Sequence, residues 1–202
     1  MYRLIQQLYI HLHMKKYLTV YCGSSSGSNP IYIEKAKELG SLMVQHNYHL
    51  IYGAGNVGLM GIIADEVLRL GGEVIGVIPQ HLVDKEVAHQ ELTELVVTET
   101  MHQRKAIMAE RTDGFIAMPG GFGTLEEIVE VMTWTQLGLH QKPIAFYNVN
   151  EYYSRLFEFF HHMIDEKFLK PKHVDQLIFE DDLRKLFQQI KAHSSSYTPK
   201  WL

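Results

Sequence analysis

The sequence contains a single cysteine, Cys22, among its 202 residues. One thiol cannot form a disulfide within the chain, and it cannot build a cysteine-based zinc site. Such scarcity is typical of proteins from a reducing compartment. We therefore expect a cytoplasmic protein in which Cys22, at the end of a predicted strand, is a buried structural thiol.

The sequence also lacks a strong excess of one charge, because 19 Lys and Arg residues oppose 23 Asp and Glu residues, which gives a formal net charge of −4. This balance produces no overall attraction to nucleic acid or to an anionic membrane.

Long hydrophobic runs are missing as well. The apolar residues of segment 1–16 are interrupted by glutamines and histidines, so this segment is too polar to span a bilayer and is a poor signal peptide. The sequence predicts neither a nucleic-acid nor a membrane partner.

Hydrophobic residues make up 46% of the chain, which is enough for one domain with a sizeable core. No polar stretch of low complexity divides the chain into separate parts. We expect one domain over residues 17–193. An N-terminal extension, 1–16, that could form an amphipathic helix would precede it, and a C-terminal tail, 194–202, would follow it.

Short apolar runs alternate with helical patterns along the chain. The runs are continuously apolar, as in strands that helices cover on both faces. This order predicts a Rossmann-like α/β fold, with a doubly wound, mainly parallel sheet flanked by helices in a single domain. The predicted strands are 17–22, 49–52, 74–78, 95–98, 115–118 and 143–147, and the predicted helices are 31–46, 59–70, 101–111, 124–137, 152–166 and 183–192. Ligands of such sheets bind at the carboxyl ends of the strands.

The loop after the first predicted strand runs from Gly23 to Gly27 and matches the G-x-S-x-G pattern of a nucleophile elbow. A long turn through Asn29 and Pro30 follows it, and no persuasive acid and histidine pair lies downstream. We therefore interpret it as a loop whose N–H groups and hydroxyls contact a ligand, with a plain turn as the alternative.

The loop after the second predicted strand, from Gly53 to Gly58, matches G-x-G-x-x-G. In dinucleotide-binding proteins an acidic residue at the end of the next strand binds the ribose, but Glu73 begins that strand. A nicotinamide-dependent oxidoreductase is therefore the weaker interpretation. The glycines still let the backbone approach a ligand or let a helix pack closely on a strand.

The third loop has the sequence Pro119-Gly120-Gly121-Phe122-Gly123-Thr124 and leads from a strand into a helix. Its glycines allow several N–H groups to point at one anion, and the positive end of the helix dipole favours a phosphate there. The segment Thr124-Leu125-Glu126-Glu127 is also a capping box, in which Glu127 would only accept a backbone N–H. The residues alone leave both interpretations of Glu127 open.

Four blocks of this sequence resemble the LONELY GUY (LOG) family. Residues 119–127 fit the P-G-G-x-G-T-x-x-E signature, and Met101-His102-Gln103-Arg104-Lys105 fits M-H-x-R-K. Residues 53–61 are similar to Y-G-G-G-x-x-G-L-M-G, with Ala54 in place of a glycine, and Cys22-Gly23-Ser24-Ser25 is similar to the opening C-G-S-S. The blocks occur in order over residues 17–192.

The resemblance implies a homodimeric enzyme that hydrolyses the N-glycosidic bond of adenine-type nucleoside 5′-monophosphates, including N6-modified cytokinin forms, to a free base and ribose 5-phosphate. It places Arg104 and Glu127 at catalytic positions. We expect no cofactor, and we expect no metal because the histidine pairs His161-His162 and His11-x-His13 lack the spacing and the acidic third ligand of a metal site. The substrate-binding positions that we assign are Ser24, Glu86, Lys105, Gly120, Gly121, Phe122, Gly123, Thr124, Glu126 and Thr133.

One other function remains open from the sequence, and a second, suggested by the family's usual label, is disfavoured. A non-catalytic protein of the same fold could carry a nucleotide or another phosphorylated ligand, although intact Arg104 and Glu127 favour the enzyme. The family is often labelled lysine decarboxylase, an activity that needs a lysine Schiff base with pyridoxal phosphate. No lysine here lies in a recognisable motif for that cofactor.

Overall fold

The computed structural model describes residues 15–83 and 88–194. The predicted extension, apart from Lys15 and Lys16, lies outside the described residues, and so does the predicted tail after Ser194. Residues 84–87, which include Glu86, also lie outside them.

The described residues contain a seven-stranded sheet with the order β4-β3-β2-β1-β5-β6-β7, in which every pairing is parallel. This confirms the predicted doubly wound α/β fold. The strands are β1 (Lys16–Tyr21), β2 (Tyr48–Tyr52), β3 (Val74–Pro79), β4 (Glu94–Thr98), β5 (Gly114–Ala117), β6 (Ile144–Tyr147) and β7 (Ile178–Glu180). Strand β7 was not predicted, because three residues at a sheet edge are too short for a recognisable pattern.

Helices cover both faces of this sheet. They are α1 (Ile31–Gln45), α2 (Gly58–Arg69), α3 (Gln80–Val83), α4 (Met101–Arg111), α5 (Phe122–Gln136), α6 (Ser154–Asp165), α7 (Lys172–Asp175) and α8 (Leu183–Ala192). The longer helices match the predicted ones within a few residues, and the single turns α3 and α7 were not predicted. Over the described ranges, no helix is both long and apolar enough to cross a membrane.

Strand β1 lies at the point where the strand order reverses, between β2 and β5. Its register aligns Tyr21 with Ala117 of β5 and Thr19 with Ile51 of β2. The carboxyl ends of these three strands therefore meet at one edge of the sheet. The three glycine loops follow these strands, so the topology brings all of them together.

Successive residues of β1 belong to two different cores. Leu18 and Val20 pack in the cluster formed with α1, α2 and α8, whereas Tyr21 packs in the cluster formed with α4, α5 and α6. Helices thus bury both faces of the strand, which explains its continuously apolar sequence. Cys22 is buried as predicted, and burial raises the pKa of its thiol.

Helices α1 and α2 pack closely around a buried carboxylate, Glu66. A Cβ on Gly40 of α1 would lie 3.2 Å from the Glu66 side chain, so the glycine permits the approach. Arg69 donates two hydrogen bonds to the carboxylate at 2.7 and 2.8 Å, and Ser41 of α1 donates another at 2.6 Å. The Arg69 hydrogen bonds outweigh the opposing effect of burial and, with the Ser41 hydroxyl, lower the pKa of Glu66 from 4.5 to about 2.

We predict that Glu66→Gln lowers the free energy of unfolding at pH 7 by about 1–2 kcal/mol, because it removes charge-assisted hydrogen bonds from a buried group. The native pKa lies below the unfolded one, so this stabilisation is present above about pH 4.5 and is lost as the pH falls towards 2. Urea unfolding between pH 7 and pH 2.5 measures both effects.

The matched control for Glu66→Gln is Glu38→Gln, whose carboxylate is 44% exposed and pairs with Lys35 on the same helix. Exposed ion pairs contribute little to stability, so Glu38→Gln should lower the free energy of unfolding by less than about 0.5 kcal/mol. Equal losses in the two variants, or a Glu66 contribution that does not change with pH, would contradict this account of the α1–α2 contact.

Candidate functional site

Backbone hydrogen bonds of Gly23 connect the three glycine loops. Its N–H donates to the Pro119 carbonyl at 3.1 Å, and its carbonyl accepts the N–H of Leu59 at 3.0 Å. The first loop is therefore fixed to the loop after β5 on one side and to the start of α2 on the other. A Cβ on Gly23 would lie 3.3 Å from the Gly120 Cα, which is tighter than most carbon contacts.

Left-handed backbone at two positions shapes the second loop. Gly58 has a φ of +64°, and a Cβ there would overlap the backbone of Ser24. Ala54 has a φ of 65° and is fully buried. The family pattern has a glycine at the position of Ala54, and this φ explains why, since glycine adopts left-handed backbone without steric cost.

Arg104 and Glu127 form a buried ion pair beside these loops. The guanidinium Nη1 lies 2.9 Å from the Glu127 Oε1, and the two side chains are 10% and 11% exposed. Arg104 comes from α4 and also donates through Nε to the Val77 carbonyl of β3 at 2.9 Å. A Cβ on Gly53 would overlap the Arg104 guanidinium, so this glycine admits the arginine to the sheet edge.

A second charged cluster joins α4 to α5 next to that pair. The Lys105 ammonium donates to Glu126 at 2.6 Å and to Glu130 at 3.0 Å. Burial disfavours the ammonium, but these two hydrogen bonds outweigh it and raise the pKa of Lys105. Lys105 is therefore a fixed cation that two carboxylates already neutralise.

Helix α5 begins at Phe122, with Gly121 as its N-cap residue in extended backbone. Thr124 is therefore inside the first turn, and the predicted capping box with Thr124 as N-cap is wrong. Thr124 is instead buried against Gly120, where a Cβ would overlap its Oγ1. The ion pair with Arg104 accounts for Glu127 better than a capping role does.

The remaining predicted residues differ in how close they lie to the centre of this site. Ser24 is exposed on the first loop, and Phe122 is 92% exposed at the first turn of α5. Gly121 and Gly123 have open space where a Cβ would lie. Thr133 is exposed three turns along α5, and its hydroxyl donates to the Val129 carbonyl at 2.9 Å. Glu86 lies outside the described residues.

Comparison with known proteins assigns the chain to a family. Residues 60–190 match the family model described as "Possible lysine decarboxylase". The chain is 42% identical over 182 residues to the cytokinin riboside 5′-monophosphate phosphoribohydrolase LOG7 of Arabidopsis thaliana, covering 90% of this chain and 84% of that protein. It is 47% identical over 156 residues to LOG1 of the same plant, which bears the same enzyme name, covering 77% and 73% of the two chains. The chain belongs to the LOG family.

A solved structure confirms the fold of this LOG family member. The molybdenum cofactor binding protein from the phototrophic bacterium Rippkaea orientalis matches with a TM-score of 0.67 and 21% identity, over 89% of this chain and 98% of that one. At this identity the likeness shows a shared fold and nothing about ligands.

The structure adds three tyrosines that sequence reasoning missed. The hydroxyls of Tyr152 and Tyr153 donate to the carbonyls of Gly120 and Met118, both at 2.6 Å. Tyr21 is buried close to Glu127, and burial together with that negative charge raises the pKa of its phenol. No motif marks these tyrosines: the contacts of Tyr152 and Tyr153 depend on the loop path between β6 and α6, and Tyr21 reads as an ordinary residue of an apolar strand.

We predict that Gly58→Ala destabilises the protein much more than Gly71→Ala. Both glycines have positive φ, +64° and +80°, so each alanine adds about 1–2 kcal/mol of left-handed strain. Only at position 58 does the new Cβ also overlap the Ser24 backbone, because position 71 has no atom within 4 Å. This overlap should add roughly 1–3 kcal/mol, measured by urea unfolding. If Gly58→Ala and Gly71→Ala lowered the free energy of unfolding equally, the first and second glycine loops would not need this close approach.

Proposed function

We propose that this protein hydrolyses the N-glycosidic bond of adenine-type nucleoside 5′-monophosphates and releases a free base and ribose 5-phosphate. The observation that carries the proposal is the buried Arg104–Glu127 pair at the carboxyl edge of the sheet, beside a glycine loop that opens a helix. The relatives at 42–47% identity bear the name of this enzyme. The reaction assigned here requires no cofactor and no metal.

Glu127 is the proposed carboxylate next to the sugar. When the bond between C1′ and the base nitrogen breaks, its electron pair leaves with the base and positive charge develops on the ribose ring. A carboxylate beside C1′ stabilises this charge and orients a water, which adds its oxygen to C1′ while a proton passes to the departing base. Arg104 holds the carboxylate in one orientation by its contact at 2.9 Å.

The first turn of α5 is the proposed phosphate subsite. The N–H groups at the start of a helix have no acceptor within the helix, and the helix dipole adds partial positive charge there. The open space at Gly121 and Gly123 lets an anion approach the backbone closely. Phe122, Ser24 and Thr133 are proposed to contact the rest of the nucleotide. Thr124 supports the loop from beneath, since it is buried against Gly120.

Lys105 and Glu126 are proposed to act together, because the ammonium is already bound to that carboxylate. They would adjust the charge beside the substrate rather than supply a free cation. Glu86 is proposed to bind ribose hydroxyls, as the family position implies.

We also propose one catalytic domain over residues 17–193 and a cytoplasmic location, which suits a chain whose single thiol is buried.

The test of the proposed reaction is base release from adenosine monophosphate and from its N6-prenylated analogue, followed by chromatography. Glu127→Gln should lower turnover by about 10²–10⁴-fold, because the amide cannot stabilise the positive ring. The control is Glu94→Gln. Glu94 lies on the edge strand β4 and pairs with Arg111 of α4, so this variant also removes one carboxylate, and it should retain activity. The preferred nucleotide would show the base specificity.

Wild-type protein that is folded but releases no base from either nucleotide would contradict the enzyme proposal. Binding of adenosine monophosphate without turnover would then favour the carrier alternative. Equal activity in wild type and Glu127→Gln would refute the role of Glu127 while leaving the reaction in place.

The face of α5 that points to solvent supports a homodimer. Val129 and Leu137 are 41% and 46% exposed, and their spacing places them with Phe122 on one stripe of the helix. Leu139, just beyond the helix, is 68% exposed. Exposed apolar side chains that cluster on one face of a protein mark protein–protein interaction sites. We propose that this stripe contacts a second copy of the chain.

We predict a mass of about twice the 23.4 kDa chain in analytical ultracentrifugation, and Val129→Asp should shift the protein towards the monomer. The control is Phe159→Asp on α6, where the side chain is 51% exposed while its neighbour Phe160 is buried in the core. Dissociation by Phe159→Asp instead would place the interface on α6. A monomeric wild type would refute the dimer.

A further inference from the structure

The three peptide units that lead from β5 into α5 are all held by their carbonyls. The Met118 carbonyl accepts the Tyr153 hydroxyl at 2.6 Å, and the Pro119 carbonyl accepts the Gly23 N–H at 3.1 Å. The Gly120 carbonyl accepts the Tyr152 hydroxyl at 2.6 Å. Each bond fixes the rotation of one peptide plane directly before the first turn of the helix.

Fixing a carbonyl also fixes the next N–H group. A trans peptide unit is planar, and its C=O and N–H bonds point in opposite directions. The Tyr152 hydroxyl, which draws the Gly120 carbonyl to one side, therefore directs the Gly121 N–H to the other. The Tyr153 hydroxyl has no such effect, because the residue after Met118 is Pro119, which has no N–H.

The Gly120–Gly121 peptide needs an external restraint more than its neighbours do. Two glycines flank it. Gly120 packs against Thr124 and Gly23, but a Cβ at Gly121 would meet no atom within 4 Å, so side-chain crowding on the Gly121 side does little to oppose a rotation of this unit. A rotation would exchange the N–H for a carbonyl oxygen, and a carbonyl oxygen repels an anion. The tyrosine hydroxyl is the contact that stabilises the favourable orientation.

Strained backbone precedes Tyr152 in the chain. Asn150 and Glu151 have φ values of 52° and 58°, which is left-handed backbone in two consecutive residues other than glycine. Asn148 holds the following turn, because its Oδ1 accepts the Tyr153 N–H at 2.8 Å. The Tyr152 ring also lies edge-on to Tyr32, with 6.0 Å between the ring centroids. Strain of this kind persists only where the surroundings enforce it, and it is concentrated at functional sites.

We propose that Tyr152 is a positioning residue for the phosphate subsite, where its hydroxyl holds the Gly120–Gly121 peptide with the N–H of Gly121 facing the anion. The inference rests on the proposed function, since it takes the first turn of α5 to receive the 5′-phosphate. Tyr152 contacts the loop and not the reacting atoms, so its effect falls on binding rather than on the chemical step.

The experiment compares Tyr152→Phe with Tyr153→Phe, two variants that each remove one tyrosine hydroxyl from one carbonyl of the same loop. For each we measure KM and kcat with adenosine monophosphate, the Kd for ribose 5-phosphate by calorimetry, and Tm. Tyr152→Phe should raise KM and Kd about 10-fold, which corresponds to roughly 1.4 kcal/mol. Its kcat should stay within about twofold, and its Tm should change little because Tyr152 is 44% exposed.

Tyr153→Phe should show the opposite pattern. Tyr153 is 1% exposed, so the variant loses a buried hydrogen bond to the Met118 carbonyl that water cannot readily replace. Its Tm should fall by about 2–4 °C for each kcal/mol of stability lost in a domain of this size, whereas KM and Kd should stay within about twofold. The two variants thus distinguish two roles. A hydroxyl that positions an N–H group affects ligand binding, whereas a hydroxyl that only supports the loop affects stability.

Five outcomes would contradict the inference, the proposed function or both. An unchanged KM and Kd in Tyr152→Phe, with an active wild type, overturns the inference and leaves the proposed function intact. Equal changes of KM and Kd in both variants, or a fall in kcat alone, also overturn it. A wild type that binds ribose 5-phosphate without releasing base refutes the proposed function, and the Kd comparison still decides the role of Tyr152. A wild type that binds neither phosphate ligand overturns both.

Discussion

The site depends on the close approach of Gly23 to the loops on both sides of it. Strand β1 is the only strand in the described sheet that pairs with both β2 and β5, so its loop meets the loops of two neighbours. The N–H and C=O of Gly23 bind one loop each, at 3.1 and 3.0 Å. A side chain at Gly23 or at Gly58 would push these backbones apart. The parallel topology brings the loops to one edge, and the glycines let their backbones touch.

Much of the fold could be predicted because local pattern and tertiary environment agree. Helix α4 begins and ends where its periodicity indicates, and the Thr100 hydroxyl caps it by accepting the Gln103 N–H. The apolar strands are buried on both faces, so their patterns carry a clear signal. Strand β7 at the sheet edge and the single turns α3 and α7 have too few residues for a pattern to develop.

The site was predicted less completely, for two physical reasons. Local rules favoured Thr124 as a helix cap, but helix α5 starts two residues earlier because Gly121 adopts extended backbone and Thr124 fills the space beneath Gly120. A tertiary contact thus overrides a local preference. Tyr152 and Tyr153 carry no motif at all, since a tyrosine hydroxyl that binds a distant carbonyl leaves no trace in residue spacing.

Charge organisation at the α4–α5 contact is better explained by function than by stability. Two buried cations of α4, Arg104 and Lys105, face three carboxylates of α5 that range from 11% to 54% exposed. Buried ion pairs seldom stabilise a fold more than apolar residues of the same shape, because desolvation offsets their attraction. An apolar contact would therefore hold these helices equally well. What it would not supply is a carboxylate fixed in one orientation at the edge of the sheet, on the same helix whose first turn is the proposed phosphate subsite. In the proposed reaction, α5 supplies both charges that the nucleotide needs: a carboxylate beside the positively charged sugar and, a few residues away, a positive helix end for the phosphate.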